Sequence, residues 1–287
     1  MRRLWCAESD AQRHQLLDVS YAARGRVKPA DAKVRGGRGD EAQWWLLDED
    51  GRTVSCLLCY PQTFSMPDGT VLAGFGLGAV STVPDATRRG YANWLCGEVG
   101  RIQAEAGRHI GLLYSAIPQA YYERLGYRVA RAADWCTSEL DAVAGAVPAA
   151  RLVQVDPMAR RAVLLERYAA HHRGLLSLLR NPTLHDRTLR LNPDDTWHLC
   201  DGGYVRLEVD GSELEIIELI VDETRVPGVL AACAEQACAL GLTALRGWLE
   251  PSPFVERHLE RRSRERTLPM VLGTPPNPSR FWSSDYF

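Results

Sequence analysis

Residues 79–127 constrain the fold of this chain more than any other stretch. An apolar run over residues 78–83 meets Pro84-Asp85, then Arg88-Arg89-Gly90-Tyr91-Ala92, and then Tyr91, Leu95, Val99 and Ile102 at helical spacing. A nearly continuous apolar run reads as a strand buried on both faces, and the fourfold spacing reads as one face of a helix. A strand that passes through such a turn into a helix aims the first backbone N–H groups of that helix, with the positive end of its dipole behind them, at the strand's end. A diphosphate fits there. Gly90 lets an anion approach the backbone, Ala92 keeps the next turn thin, and Arg88 and Arg89 add bidentate donors. A solvated arginine pair at an ordinary helix start has the same local pattern, so these residues alone leave both readings open.

The next fifty residues narrow the choice. Residues 109–115 read as a strand, Pro118 suits the first position of a short helix, and Gly126 ends that helix before a strand starts at Tyr127. Here the chain resembles the GNAT superfamily, the N-acyltransferases that use acyl-coenzyme A. Residues 87–92 stand where that family has its (Gln/Arg)-x-x-Gly-x-(Gly/Ala) loop, and Tyr122-Glu123-Arg124-Leu125-Gly126-Tyr127 looks like its Tyr-x-x-x-Gly-(Phe/Tyr) segment. Two ordered motifs at the family's usual separation are more specific than either alone, and the likeness spans residues 1–140. Thr87 departs from the pattern, where Gln or Arg is usual, which implies weaker or rearranged phosphate binding.

The resemblance implies a chemistry: an amine attacks the acyl thioester directly, giving a tetrahedral oxyanion that expels the thiolate of coenzyme A. It assigns the oxyanion to backbone N–H groups near Val80, Ser81 and Thr82, the diphosphate to Arg88, Arg89, Gly90, Tyr91 and Ala92, and protonation of the thiolate to Tyr122. Acetyl-CoA is the implied co-substrate, with no metal. The plainer account of Tyr122 is a core aromatic with a satisfied hydroxyl, and Tyr121 reads as a packing residue. Many relatives carry a basic Glu on the strand before the loop. Residues 71–83 contain no carboxylate, so a base has to come from elsewhere.

At 287 residues the chain suits two domains, each able to bury a core. Upstream of the motifs, residues 9–23 read as a helix capped by Ser9 or Asp10, residues 43–47 and 53–64 as strands joined by the Asp48-Glu49-Asp50-Gly51 turn, and residues 24–40 as a Gly-rich basic loop able to cover a substrate or simply to lie at the surface. After a small-residue linker near 141–148, residues 158–179 are helical in pattern. Residues 196–200, 203–209, 214–221, 244–249 and 267–272 read as strands, and residues 226–240 and 254–261 as helices. This order repeats the first half, yet Asp222, Glu223 and Pro227 occupy the equivalent strand-to-helix turn, where two acids repel a diphosphate and a proline removes a donor. The fold expected is therefore α/β (α+β): a GNAT-like domain over residues 1–145 and a degenerate one over 150–287, each a mixed, mostly antiparallel twisted sheet flanked by helices. The second is expected to complete the acceptor site or an oligomer interface.

The chain closes with Phe281-Trp282-Ser283-Ser284-Asp285-Tyr286-Phe287. This is similar to tandem-domain acetyltransferases of the enhanced intracellular survival type, aminoglycoside-modifying enzymes in which a C-terminal phenylalanine carboxylate faces the catalytic tyrosine; those proteins carry a third, sterol-carrier-like domain for which this chain has no room. The resemblance implies that the Phe287 carboxylate, or Asp285, acts as base or anchor beside Tyr122. Closure of the second core by these aromatics is the competing reading.

Composition excludes some classes. With 34 basic and 36 acidic residues the net charge is −2, so no strong field favours nucleic acid or an anionic membrane. The polar turn soon after Met1 resembles neither a leader nor a span, and a cytoplasmic location is expected. Of eight cysteines, Cys96, Cys233 and Cys238 sit in apolar patterns, and the pair Cys56 and Cys59 is spaced so that a strand turns them to opposite faces, which defeats chelation. Trp44, Trp45, Tyr60 and Phe75 suit an aromatic pocket, but strand alternation also explains them as core. The leading function is an N-acyltransferase moving an acetyl group from acetyl-CoA to a small-molecule primary amine, with a homo-oligomer possible. The alternative is a non-catalytic acyl-CoA-binding sensor or scaffold. A transferase using charged tRNA lacks the basic face it would need.

Overall fold

Two sheets, each built from both halves of the chain, organise the protein. The computed structural model describes residues 1–26, 42–115, 117–130, 134–190, 194–263, 267–273 and 279–282. In chain order the elements are β1 (Arg2–Cys6), α1 (Asp10–Ala23), β2 (Gln43–Glu49), β3 (Arg52–Ser65), β4 (Val71–Thr82), α2 (Tyr91–Glu105), β5 (Ile110–Ser115), α3 (Ala120–Glu123), β6 (Tyr127–Val129), β7 (Asp134–Thr137), α4 (Leu140–Ala144), β8 (Val153–Val155), α5 (Arg161–His171) and β9 (Ser177–Leu179). There follow α6 (Pro182–Arg190), β10 (Thr196–Cys200), β11 (Gly203–Asp210), β12 (Glu213–Ile220), α7 (Val226–Ala239), β13 (Ala244–Gly247), α8 (Pro253–His258), β14 (Glu260–Arg262) and β15 (Leu268–Leu272).

Local chemistry explains much of this order. Ser9 caps α1 in a reciprocal box, its hydroxyl accepting from the Gln12 N–H while the Gln12 side chain accepts from the Ser9 N–H. Asp50 and Gly51 both take positive φ, 50° and 79°, as the tight turn between β2 and β3 requires. Both α1 and α2 pack on β3 and β4, burying Leu16 and Val19 from the first helix and Leu95 and Val99 from the second. Trp44, Tyr60 and Phe75 are buried in this core and Trp45 packs against it; none of the four lines the cleft described below.

The first sheet runs β1-β2-β3-β4-β5-β15-β6, with β9 also against β3, and the second runs β14-β7-β13-β12-β11-β10-β8. Only β4 with β5 and β12 with β13 pair in parallel among the described strands. A clean cut between residues 145 and 150 does not describe these sheets. Asp134–Thr137 pairs with β13 and β14 of the second sheet, while Leu268–Leu272 pairs with β5 and β6 of the first. The first half thus lends one strand to the second sheet, and the second half lends two, β15 and β9, to the first. Alternation identifies a strand but not its partner, which is why the exchange is invisible to periodicity.

Three further readings are corrected. The helical pattern over 158–179 resolves into α5 and then, past Gly174 at φ 76°, into β9, whose Leu178 pairs with Phe64 of the first sheet. The helix read at 254–261 stops at His258 and continues as β14. Cys238 is exposed rather than buried, whereas Cys56, Cys59, Cys96, Cys136, Cys200 and Cys233 are buried and free.

The segment 279–282 fastens the halves together. Phe281 joins the first core and Trp282 the second, each almost fully buried. β15 itself buries Leu268, Met270 and Val271, and full burial of one such side chain contributes about 1.5–3 kcal/mol. Total stabilities are only about 5–15 kcal/mol, so residues 1–145 alone should fail to fold. The check is far-UV circular dichroism and thermal melting of that fragment; a cooperative transition near that of the full chain would refute the dependence.

Candidate active site

The site begins where two strands part. Parallel pairing of β4 with β5 covers Gly74–Leu77 against Ile110–Leu113 and goes no further. Immediately beyond, β4 carries a bulge: Leu58 pairs with Gly78 but Cys56 with Ser81, so Ala79 and Val80 stand opposite the single residue Leu57, and Ala79 adopts φ 51°. The rest of β4 stays with β3, since the Ser55 hydroxyl donates to the Ser81 carbonyl at 2.8 Å and lies 3.0 Å from the Thr82 hydroxyl. β5 is held from its other side, with Tyr114 and Ser115 opposite Pro269 and Leu268 of β15. Each strand is anchored away from the gap.

The gap is a cleft of about 330 Å³, lined by Leu77, Gly78, Ala79, Val80, Ser81 and Thr82 on one side and by Leu113, Tyr114, Ile117, Tyr121 and Tyr122 on the other. Ala92 of α2 and Arg24 at the end of α1 complete it. Val80, Ser81, Thr82, Ala92 and Tyr122, expected from sequence, therefore meet in one opening.

At one end the chain turns into α2 through a 3-10 turn over Pro84–Ala86. Arg52 clamps this turn with a two-point ion pair to Asp85, 2.5 and 2.9 Å, and that contact holds the Asp85 carboxyl below its ordinary range. Thr87 turns back and donates its hydroxyl to the Pro84 carbonyl at 2.9 Å, fixing the turn. Gly90 then takes φ 80°, with no atom within 4 Å of where a Cβ would stand, and no side chain caps the first-turn N–H groups of α2. Uncapped donors, an open approach and the exposed Arg88 and Arg89 fit a diphosphate. Tyr91 contributes backbone only: its ring is buried beneath the Arg2 guanidinium, 5.2 Å from the ring centre.

At the other end stand three tyrosines. Tyr122 is 8% exposed and makes edge contacts with Tyr121 at 5.0 Å and Tyr127 at 6.1 Å. Tyr121, which its sequence context marks only as packing, also lines the cleft; desolvation pushes its hydroxyl up to about 12, so it stays a donor. Tyr114 donates to the Trp282 carbonyl at 3.2 Å. Its one sequence signal is a phenol in an otherwise aliphatic strand.

No carboxylate lines the cleft among the described residues, and Arg24 is its single charged side chain there. Phe287 and Asp285 lie outside the described residues. Trp282 touches the cleft-lining Tyr114: its carbonyl takes the Tyr114 hydroxyl, and its indole N–H donates to Nε2 of buried His172 at 3.0 Å. No group of three or more metal-ligating side chains occurs among the described residues.

The second half is built differently at the matching places. Residues 148–150 lie over the start of α7, where the Ala150 N–H donates to the Gly228 carbonyl at 2.8 Å and the Pro148 carbonyl is 3.2 Å from where a Gly228 Cβ would stand. Asp201 pairs with Arg225 beside them at 2.9 Å.

Residues 9–130 match the family model described as an acetyltransferase (GNAT) domain. Over nearly its whole length the fold is similar to those of solved N-acyltransferase-like and tandem GNAT structures. A probable N-acyltransferase of Enterococcus faecalis V583 is 14% identical with a TM-score of 0.76, covering 94% of this chain and 72% of that one. Eis1 from Mycobacterium abscessus is 16% identical, TM-score 0.69, over 94% and 73% of the two chains. A tandem GNAT protein from the clavulanic acid biosynthesis pathway is 13% identical, TM-score 0.50, over 98% and 100%. Comparison with curated proteins finds no significant match.

The histidines around the Trp282 seat give this region a pH dependence. Burial lowers His171 to about 3, and lowers His172 well below its ordinary value, so both are neutral in the folded chain. Unfolded histidine takes a proton near pH 6.5. Their contribution is therefore complete above about pH 6.5 and declines as pH falls toward about 3, where the unfolded chain binds more protons. The melting temperature should fall across this window, and fall less steeply in His171→Gln; equal slopes for both proteins would contradict the assignment.

Proposed function

We propose that the protein is an N-acyltransferase that moves an acetyl group from acetyl-CoA to a primary amine of a small molecule. The observation that carries this reading is a cleft between parting parallel strands, with an uncapped helix start at one end and Tyr122 at the other. Acetyl-CoA, when bound, supplies the acyl thioester. Arg88, Arg89 and the first-turn N–H groups of α2 would hold its diphosphate, and backbone N–H groups of Val80, Ser81 and Thr82 would face the acyl carbonyl. Tyr122 would hold, at its hydroxyl, the proton that the departing sulfur needs.

With no carboxylate on the described lining, the amine's proton must leave by another route, and the Phe287 carboxylate is the candidate. The contact of Trp282, five residues before Phe287 in the chain, with the cleft-lining Tyr114 supports it. A non-catalytic acyl-CoA sensor is the second reading. It is favoured by Thr87, whose hydroxyl is occupied by Pro84, and by the missing carboxylate. The near-neutral charge supports neither a nucleic-acid nor a membrane partner, and no described helix is long and apolar enough to cross a membrane. We read the protein as cytoplasmic and leave room for a homo-oligomer.

Calorimetric titration with acetyl-CoA should show binding that Gly90→Glu weakens by about tenfold or more, the effect of about 1.4 kcal/mol of charge and steric conflict. Tyr122→Phe should keep that affinity while thiol release with an amine panel drops by about 10²- to 10⁴-fold. Equal turnover in Tyr122→Phe would remove the tyrosine's role, and absent turnover in the native chain with binding intact would favour the sensor. A C-terminal extension tests Phe287: turnover should fall, and unchanged rates with a long tag would sink the carboxylate role.

A further inference from the structure

The second sheet repeats the parting of strands. Parallel pairing of β12 with β13 covers Glu213–Ile216 against Ala244–Gly247, four residues as in the first sheet, and then stops. A cavity of about 430 Å³ lies beyond it, at the position that the acyl cleft occupies in the first half. Its lining is of a different kind. Three carboxylates, Asp222, Glu223 and Glu250, and two guanidinium groups, Arg173 and Arg280, face an apolar wall that includes Leu219, Leu249 and Trp282. A diphosphate or thioester has no place among those acids.

Arg280 is the fixed point of this cavity. Its N–H donates to the Leu176 carbonyl at 2.9 Å, beside a parallel bridge between Leu176 and Ser279, so its backbone is tied to the body of the protein. One Nη donates to Nε2 of His171, which must be neutral to accept. The guanidinium forms an ion pair with Glu250, whose nearest oxygen stands 3.8 Å from Nε, too far for a hydrogen bond, so the buried Nε–H has no hydrogen-bond acceptor. Held in place on the cavity wall and opposed only by this long ion pair, the guanidinium suits a planar carboxylate. Asp222 and Glu223 are exposed at the end of β12 and line the same space, where they can take an ammonium group.

We propose that this cavity binds a free α-amino acid, neutral or basic, with its carboxylate on Arg280, its ammonium on Glu223 and Asp222, and its side chain along the apolar wall. The lining carries one more negative than positive group, which selects against acidic amino acids. The volume exceeds what the backbone of one amino acid fills, leaving room for a side chain. The site is independent of acyl transfer: it shares with the catalytic cleft only the wall formed by Trp282 and Tyr114.

Calorimetry on the full chain tests the assignment with L-alanine, L-arginine and L-glutamate, and with propionate and ethylamine as half-ligands. Alanine and arginine should bind, glutamate most weakly of the three, and each half-ligand about tenfold or more below alanine, as expected when one charge-assisted contact is missing. Arg280→Gln should abolish alanine binding. Glu223→Gln, an exposed change, should weaken it by about tenfold while melting temperature and acetyl-CoA affinity stay unchanged. No heat from any amino acid at millimolar concentration overturns the proposal. So do propionate binding as tight as alanine, or unaltered affinity in Glu223→Gln.

Discussion

Backbone pairing of β15 with the far edge of β5 determines more of this protein than any side-chain contact. Two parallel strands tend to stay together, because separating them strands N–H and C=O groups on both edges. Here β5 is kept from following β4 by Leu268 and Pro269, which pair with Ser115 and Tyr114 at the level where the gap opens. β4 is kept from following β5 by its bulge and by Ser55. The cleft is the space between two strands that each have a better partner elsewhere, and its edge groups stay available to a ligand. Beyond β15, Trp282 then meets the cleft-lining Tyr114, so the same end of the chain both shapes the opening and braces one of its walls.

The two halves show how a shared scaffold diverges. Both have a parallel pair that parts after four residues, a 3-10 turn and a long helix. In the first half the helix start is Gly90 at positive φ with open space around it. In the second, the start of α7 lies beneath residues 148–150, and acids stand where the first half has aliphatic residues. Such differences are made by a handful of side chains in the turns, while the strands that carry them are interchangeable enough to be exchanged between sheets.

What could be read from sequence was local. The turn at Gly90, the Ser9 cap and the hairpin at Asp50-Gly51 all depend on residues close together in the chain, where spacing carries the physics, whereas Val80, Ser81, Thr82 and Tyr122 were joined only by the resemblance to a family. Partners across the chain left no such trace. The Tyr114 hydroxyl finds its acceptor 168 residues away. Ser177–Leu179 looks helical beside α5 because a Ser-Leu-Leu segment after a periodic run fits either period, and only the sheet it joins decides. Thr87 looked like a weakened phosphate ligand, yet its hydroxyl serves the turn instead. Arg52, which clamps that turn from β3, lies 33 residues before Asp85 and has nothing in its own surroundings to mark it.

The exchange of strands also sets an order of events during synthesis. β5 and β6 leave the ribosome early, but the strand that must lie between them is made near the end of the described chain. Until Leu268–Leu272 emerges, the nascent protein carries two unpaired edges flanked by Leu112 and Tyr127, the kind of surface on which chains misassociate. Contacts this distant in sequence also slow the final step, because a long loop must close before they form. A tandem architecture that looks like two independent folding units is therefore one late-closing unit.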